Sequence, residues 1–368
     1  MGKLTEKELW YWLCNINGIG YKKIKDLLVY FGTPREVFVA KEADLLKIPS
    51  LTDADRRYLS ATHDQEHVKQ EYEKLIPKDV RFVLRGEEEY PSRLEAIYDP
   101  PHGIYIKGKL PKEHIKTVGM VGARNCTTYG KEVALYFARE LAKKGIQVIS
   151  GLALGIDGYS HEGALIGEGY TLGILGSGID VCYPKHNQYL YDRLSITGGI
   201  MSEYGLGVNP KPGNFPRRNR LIAGMSDGIL VVEASKKSGS FITVDQGLEQ
   251  GKDIFVIPGR ITDELSVGCN QLVKMGAELV CHPNEIFAYY QMEEKEGNLE
   301  VVGSHKNISF SELEEGIMKS MSLEPIHVSL LLEKTKLDLG KLMQVLLQLE
   351  QKNCIKQVAK NYYINQIE

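Results

Sequence analysis

Within the six residues Phe215-Pro216-Arg217-Arg218-Asn219-Arg220 the chain places one aromatic ring, one proline and three guanidinium groups. A guanidinium is a rigid fork of donors that meets two phosphate oxygens at once, and its flat face stacks on rings. An aromatic among such forks is what an unstacked base and its phosphodiester need together. Just upstream, Pro210, Pro212 and Gly213 resist joining a helix or a central strand, which puts the lead-in on the surface. Taken alone, the hexapeptide admits a second reading, a structural loop whose arginines pair with carboxylates of the fold.

Groups of similar character stand at other points. Gly122-Ala123-Arg124 leads to Tyr129-Gly130, and Ser150-Gly151 leads through Leu154 and Gly155 to Asp157. Gly176-Ser177-Gly178 precedes Asp180 and then Tyr183-Pro184-Lys185 and Asn187, while Glu233-Ala234 precedes Ser238-Gly239-Ser240 and Thr243. Glycine lets a backbone approach a ligand closely, and a helix N-terminus offers unpaired N–H groups and a partial positive charge. With Arg124 and Lys185 added, the chemistry these groups share is phosphate binding. The chain carries a formal charge of −3, so any anion site must be a local concentration of cations.

Familiar nucleotide signatures are missing. The sequence holds no Gly-x-x-x-x-Gly-Lys-Ser/Thr loop, no Gly-x-Gly-x-x-Gly at the first strand–helix turn, and no Gly-x-Ser-x-Gly elbow. His161, four residues after Asp157, reads as a structural partner within its helix. The carboxylates Asp157, Asp180, Glu203 and Glu233 read as caps and arginine partners rather than as metal ligands, so neither a cofactor nor a metal is expected. Cys126 reads as a small packing residue.

The elements that must position these groups are short apolar runs alternating with helical stretches. Residues 80–84, 116–121, 147–149, 171–175, 199–201, 228–232, 253–257 and 279–280 read as strands, with helical spacing at 131–144, 157–168 and 240–250 between them. Continuous buried strands alternating with helices imply an α/β fold: a Rossmann-like, mainly parallel sheet with helices on both faces, spanning 77–288 after the boundary at Pro77. Right-handed crossovers bring the strand carboxyl ends, and the groups above, to one edge. Ahead of it, residues 1–76 read as a small all-α domain. Asn15-Ile16-Asn17-Gly18-Ile19-Gly20 precedes Lys22-Lys23 and an amphipathic helix stopped by Gly32 and Pro34, with caps such as Ser50 and Thr52 farther on. Such a hairpin is either a tight turn packing two helices or a helix-hairpin-helix that binds DNA backbone. Residues 289–308 are polar and read as a linker. From 309 to 368, helices at 313–320, 325–334 and 338–351 and a hairpin at 355–364 make a winged-helix-like domain. Its last helix offers only Lys341 and keeps Glu350, which favours a protein-contact role over reading DNA sequence.

Six cysteines without a Cys-x-x-Cys pair fit reduced thiols, no apolar secretion core opens the chain, and no run of roughly 18 uncharged apolar residues could span a membrane. The expectation is a cytoplasmic protein.

The ordered set Gly119-Met120-Val121-Gly122-Ala123-Arg124, Ser150-Gly151-x-Ala153-x-Gly155-Ile156-Asp157 with His161, Leu175-Gly176-Ser177-Gly178 with Tyr183-Pro184 and Asn187, and Phe215-Pro216-x-Arg218-Asn219-Arg220 resembles the DNA-processing protein A family, also called DprA or Smf. Ser202-Glu203, Glu233-Ala234 with Ser238-Gly239-Ser240, Pro258-Gly259 and Gly268-x-Asn270 extend the match over about residues 80–285. The resemblance implies a protein without enzymatic activity that binds single-stranded DNA irrespective of sequence, forms homodimers, and loads the RecA recombinase onto incoming strands in natural transformation. Strand contacts are expected at Gly122, Arg124, Gly151, Lys185, Asn187, Phe215, Arg217, Arg218, Asn219, Arg220, Ser238, Gly239 and Ser240; if the N-terminal hairpin is a helix-hairpin-helix rather than a tight turn, double-stranded DNA becomes a partner there. Leu154 stands where many relatives carry arginine, which lowers the groove's charge. Two other classes remain. A nucleotide-binding or hydrolysing enzyme acting on nucleoside monophosphates would need a Pro-Gly-Gly-x-Gly-Thr loop, and Pro258-Gly259-Arg260 does not continue that way. A DNA-bridging protein acting through its terminal modules would prefer duplex.

Overall fold

Alternation along each strand decides which helices cover it. In the computed structural model, which describes residues 3–292, 310–322, 324–352 and 354–365, nine strands form one sheet. They are β1 (Arg81–Leu84), β2 (Gly103–Gly108), β3 (Thr117–Val121), β4 (Gln147–Ser150), β5 (Thr171–Gly178), β6 (Gly199–Tyr204), β7 (Gly228–Val231), β8 (Asp253–Val256) and β9 (Glu278–Leu279). Their order is β1-β2-β6-β5-β4-β3-β7-β8-β9. Val121, Ile149, Ile174, Met201, Ile229 and Val256 pack under helices Asn214–Met225, Ser240–Glu249 and Glu264–Lys274. The alternate residues Val118, Met120, Val148, Leu230 and Phe255 pack against helices Thr128–Lys143, Ile156–Ile166 and Pro283–Tyr289 on the opposite face. Period-two burial on both faces is what makes these runs continuously apolar.

The expected strands are all present, and pairing from β6 through β9 is parallel. One was not foreseen. β2 pairs antiparallel with both β1 and β6, so one edge of the sheet is antiparallel. Its apolar run Ile104-Tyr105-Ile106 is short and closed in by Pro100, Pro101, Gly103 and Gly108, which read locally as turn punctuation. Only its two partners make it a strand.

The chain runs β3-β4-β5-β6 in one direction across the sheet and then returns to lay β7 on the other side of β3. The carboxyl ends of β3 and β7 therefore flank the place where the winding reverses, which is where open α/β sheets leave a crevice.

The N-terminal module has its own core of Leu9, Trp12, Leu13, Ile24, Leu27 and Phe38. Helices Glu6–Asn15 and Tyr21–Phe31 flank the expected hairpin, and Gly32 ends the second. Thr52 caps its helix as expected, whereas the Ser50 hydroxyl is buried and caps nothing. Tyr11 from this module enters a cluster with Phe82, Tyr105 and Tyr191 of the central domain. In the C-terminal region, helices Glu312–Ser320, Val328–Thr335 and Leu339–Gln351 accompany strands β10 (Ile326–His327), β11 (Ile355–Ala359) and β12 (Tyr362–Asn365), ordered β10-β12-β11. The expected linker lies outside the described residues from 293 onward.

Candidate nucleic-acid interface

The strand ends beside the reversal open into a cavity of about 610 Å³. Its walls come from the turn after β3 (Gly122 to Asn125), from Ala153 after β4, Tyr183 after β5, the loop Ser235–Ser240 after β7, and the segment Pro210–Asn219. Among the residues expected at a strand, Gly122, Arg124, Phe215, Arg218, Asn219, Ser238, Gly239 and Ser240 are brought together here. Gly151, Lys185, Asn187, Arg217 and Arg220 are not on this lining.

Phe215-Pro216-Arg217-Arg218-Asn219-Arg220 is not a loop. It forms the first turns of helix Asn214–Met225, and the proline falls within the first turn, where a missing N–H costs no helical bond. Helical winding sends the four side chains to different destinations. Phe215, half-buried, lies flat enough on Gly176 that a Cβ there would come within 2.8 Å of its ring. Its ring centroid is 5.5 Å from the exposed Arg124 guanidinium and 5.6 Å from the ring of Tyr183, which is 46% exposed. Two rings and a guanidinium thus line up at the mouth, a platform for a flat, electron-rich group.

Arg218 turns inward and is 4% exposed. Its Nη1 donates to the Gly151 carbonyl at 2.7 Å and to the Ile174 carbonyl, tying β4 to β5. Gly151 is required by that approach, because a Cβ would stand 2.5 Å from Nη2. Burial pulls the guanidinium down to about 10, so it is still a cation at neutral pH. The nearest counter-charge is Asp157, whose carboxylate accepts from the Gly151 amide at 3.1 Å and whose pKa burial pushes upward, against the pull of Arg218. The floor of the cavity therefore holds a desolvated cation bonded chiefly to carbonyls.

Arg220 leaves the cavity altogether. It is 4% exposed and meets Glu203 at 2.6 Å and Asp99 at 3.2 Å. The alternative reading of the hexapeptide, arginine paired with carboxylates of the fold, describes this residue. Asn187 is also spent internally, its amide donating to the carbonyls of Leu152 and Ala153 at 3.1 and 2.8 Å. Gly151 has its N–H on Asp157 and its Cα under Arg218, and Gly122 lies beneath Ile156 and the Glu233 carbonyl. Asn187, Gly151 and Arg220, expected at a strand, each make contacts within the fold: Asn187 to the Leu152 and Ala153 carbonyls, the Gly151 amide to Asp157, and Arg220 to Glu203 and Asp99. Lys185 is exposed at the start of the short turn Lys185–Asn187, and Arg217 is exposed on the far side of its helix, 3.6 Å from Glu203.

Helix Ser240–Glu249 begins at the cavity with no side-chain cap, and nothing stands within 4 Å of the position a Cβ on Gly239 would take. Ser238 and Ser240 share a hydroxyl bond of 2.7 Å beside it. Two features of this rim were not foreseen from sequence. Tyr183 joins the platform, and the exposed Lys236 and Lys237 sit in the loop that borders it. The tyrosine was visible as the neighbour of Lys185, but nothing local says that its ring would meet Phe215 from the opposite wall.

The remaining candidates for chemistry are engaged elsewhere. His161 is fully buried with Nδ1 at 2.6 Å from Thr171 Oγ1, and burial lowers its pKa to about 3, so it stays neutral. Glu233 accepts from the Thr127 amide and hydroxyl, and Asp180 from the Gly207 amide. Burial raises the Cys126 thiol to about 11. In the N-terminal hairpin, Lys23 donates to the Gly18 carbonyl at 2.9 Å and pairs with Asp55 at 2.7 Å, which leaves the exposed Lys22 as the cation of that turn.

Residues 81–291 match the family profile described as DNA recombination-mediator protein A. DNA processing protein DprA of Bacillus subtilis is 34% identical over 250 residues, 66% of this chain and 84% of that protein. The X-ray structure of DNA processing protein A from Streptococcus pneumoniae superposes with a TM-score of 0.67 at 33% identity, covering 78% of this chain and 98% of that one. A second structure, of the Helicobacter pylori protein, was described for its single-stranded DNA binding mode; its TM-score is 0.52 at 30% identity, covering 58% and 95% of the two chains.

Proposed function

The chain belongs to the DNA recombination-mediator protein A family, and from that premise we propose that it binds single-stranded DNA in the cavity at the sheet reversal. The observation that carries this reading is the platform of Arg124, Phe215 and Tyr183 at the mouth of a cavity floored by the Arg218 cation. A base stacks on the rings and its phosphates meet Arg124, Lys185 and the lysines at 236 and 237. Duplex DNA keeps its bases stacked on one another and has none to give to Phe215. Ring stacking and phosphate contacts do not depend on which base is present, so recognition is independent of sequence. Following the family resemblance, the bound strand is handed to the RecA recombinase during natural transformation by a homodimer working in the cytoplasm, with no reaction catalysed on the DNA.

The test is fluorescence anisotropy with labelled poly-dT at two salt concentrations, with duplex and mononucleotides as competitors. Expected are steep weakening with salt, resistance to both competitors, and a loss of about tenfold or more in an Arg124→Ala, Lys185→Ala double variant that melts like the parent. Unchanged affinity in that variant sinks the site. Competition by a mononucleotide at modest concentration would favour the enzyme reading instead.

A further inference from the structure

The segment Val208–Arg217 divides two cavities. Pro210, Pro212, Phe215 and Pro216 line the cavity already described, while Val208, Lys211, Asn214 and Arg217 line a second one of about 450 Å³ behind it. The far wall of that second cavity belongs to the other module: it is the hairpin from Cys14 to Tyr21. Tyr21 stacks on His102 at 5.1 Å and His102 on Trp10 at 5.4 Å, which braces the hairpin against the central domain.

Arg217 crosses the gap. Its guanidinium stands 3.0 to 3.4 Å from the position a Cβ on Gly20 would take, so the glycine leaves room for it. Gly20 is the N-cap of the 11-residue helix Tyr21–Phe31 and provides no side-chain cap, so the guanidinium sits beside the positive end of a helix. Two positive groups held together in this way repel unless an anion joins them. Glu203 is shared between Arg217 at 3.6 Å and Arg220 at 2.6 Å, and Asp99 at 3.2 Å answers the second arginine, so the positive charge left over is that of the helix end. Lys211, exposed on the partition, adds a further cation. Phe215 and Arg217 sit two residues apart on the same helical turn, one facing each cavity.

We propose that the second cavity takes a phosphate and sugar of the same single strand, adjacent to the nucleotide stacked on Phe215, so that hairpin and central domain grip one strand together. This rests on the reading given above and extends it from one domain to two. The hairpin is then a single-strand element, not a duplex clamp.

The experiment measures full-length protein binding to a short strand, the dinucleotide dTpdT, whose single phosphate is taken up beside Phe215, to a long dT strand of 20 nucleotides, and to a 20-base-pair duplex. A Lys211→Ala, Arg217→Ala double variant should lose about tenfold on the long strand and less than about twofold on the short one, with a shallower salt dependence for the long strand. A Lys211→Arg, Arg217→Lys variant should retain long-strand affinity. Equal affinity at both lengths, equal loss at both lengths, or a loss confined to duplex each overturns the proposal. A benzophenone amino acid at the exposed Asn17 gives a reading independent of these variants: crosslinking to the long strand supports it, and crosslinking to duplex alone overturns it. Failure of the parent protein to bind any single strand would instead remove the underlying function.

Discussion

Replacing Arg220 by alanine separates the two roles that the hexapeptide superimposes in sequence. The Arg220 side chain is 5% exposed and serves Glu203 at 2.6 Å, Asp99 at 3.2 Å and the Asp99 carbonyl at 2.7 Å. Its removal strands Glu203, whose side chain is 13% exposed, beside a carboxylate that is 33% exposed. Breaking one side of a buried ion pair costs about 3–5 kcal/mol. Arg217 at 3.6 Å from Glu203 recovers part of this, so the lower end, about 3 kcal/mol, is expected. For a domain of this size each kcal/mol moves the melting temperature by about 2–4 °C, which gives a fall of about 6–12 °C. The measurement is a thermal and urea melt beside anisotropy at a temperature where the variant is still folded. Arg220→Ala should melt early and bind dT like the parent, whereas Arg124→Ala should melt like the parent and bind weakly. A variant at Arg220 with an unchanged urea midpoint and lost binding would refute the reasoning and return this arginine to the strand.

Phe215→Ala should weaken dT binding by roughly fivefold to 150-fold, the worth of one stacked base at about 1–3 kcal/mol, while Phe215→Trp should bind like the parent; equal anisotropy curves for all three proteins would remove the platform. Gly151→Ala should lower the urea midpoint by an amount equivalent to about 1–3 kcal/mol, since its Cβ stands 2.5 Å from the Arg218 guanidinium, and an unchanged midpoint would mean the strut moves freely. His161 carries a pH signature. The unfolded chain takes up this proton near 6.5 and the folded chain only near 3, so its contribution is whole above pH 6.5 and is lost as pH falls below it, by at most about 1.4 kcal/mol per pH unit. Urea midpoints measured from pH 7.5 to 5 should fall more steeply for the parent than for His161→Leu, and parallel curves would contradict the assignment.

Much of the architecture was legible because it is local and periodic. Runs such as Val118–Val121 and Ile229–Val232 are apolar on both faces, helical spacing lies between them, and a parallel sheet covered on both sides is the consistent solution. The edge strand β2 was not legible, because three apolar residues between glycines become a strand only when β1 and β6 supply hydrogen bonds.

At the site, sequence by itself determined the chemistry: the guanidiniums, the ring, the glycines and the strand ends that carry them. Tertiary structure alone decided their division of labour. Adjacent residues on a helix point about 100° apart, so Phe215, Arg217, Arg218 and Arg220 were dealt to a stacking platform, a second cavity, a buried strut and an internal ion pair. A string of arginines looks uniform in sequence, and the difference between a free cation and a spent one is the neighbour that the fold places beside it. Glu203, 17 residues before Arg220 and on a different element, is that neighbour.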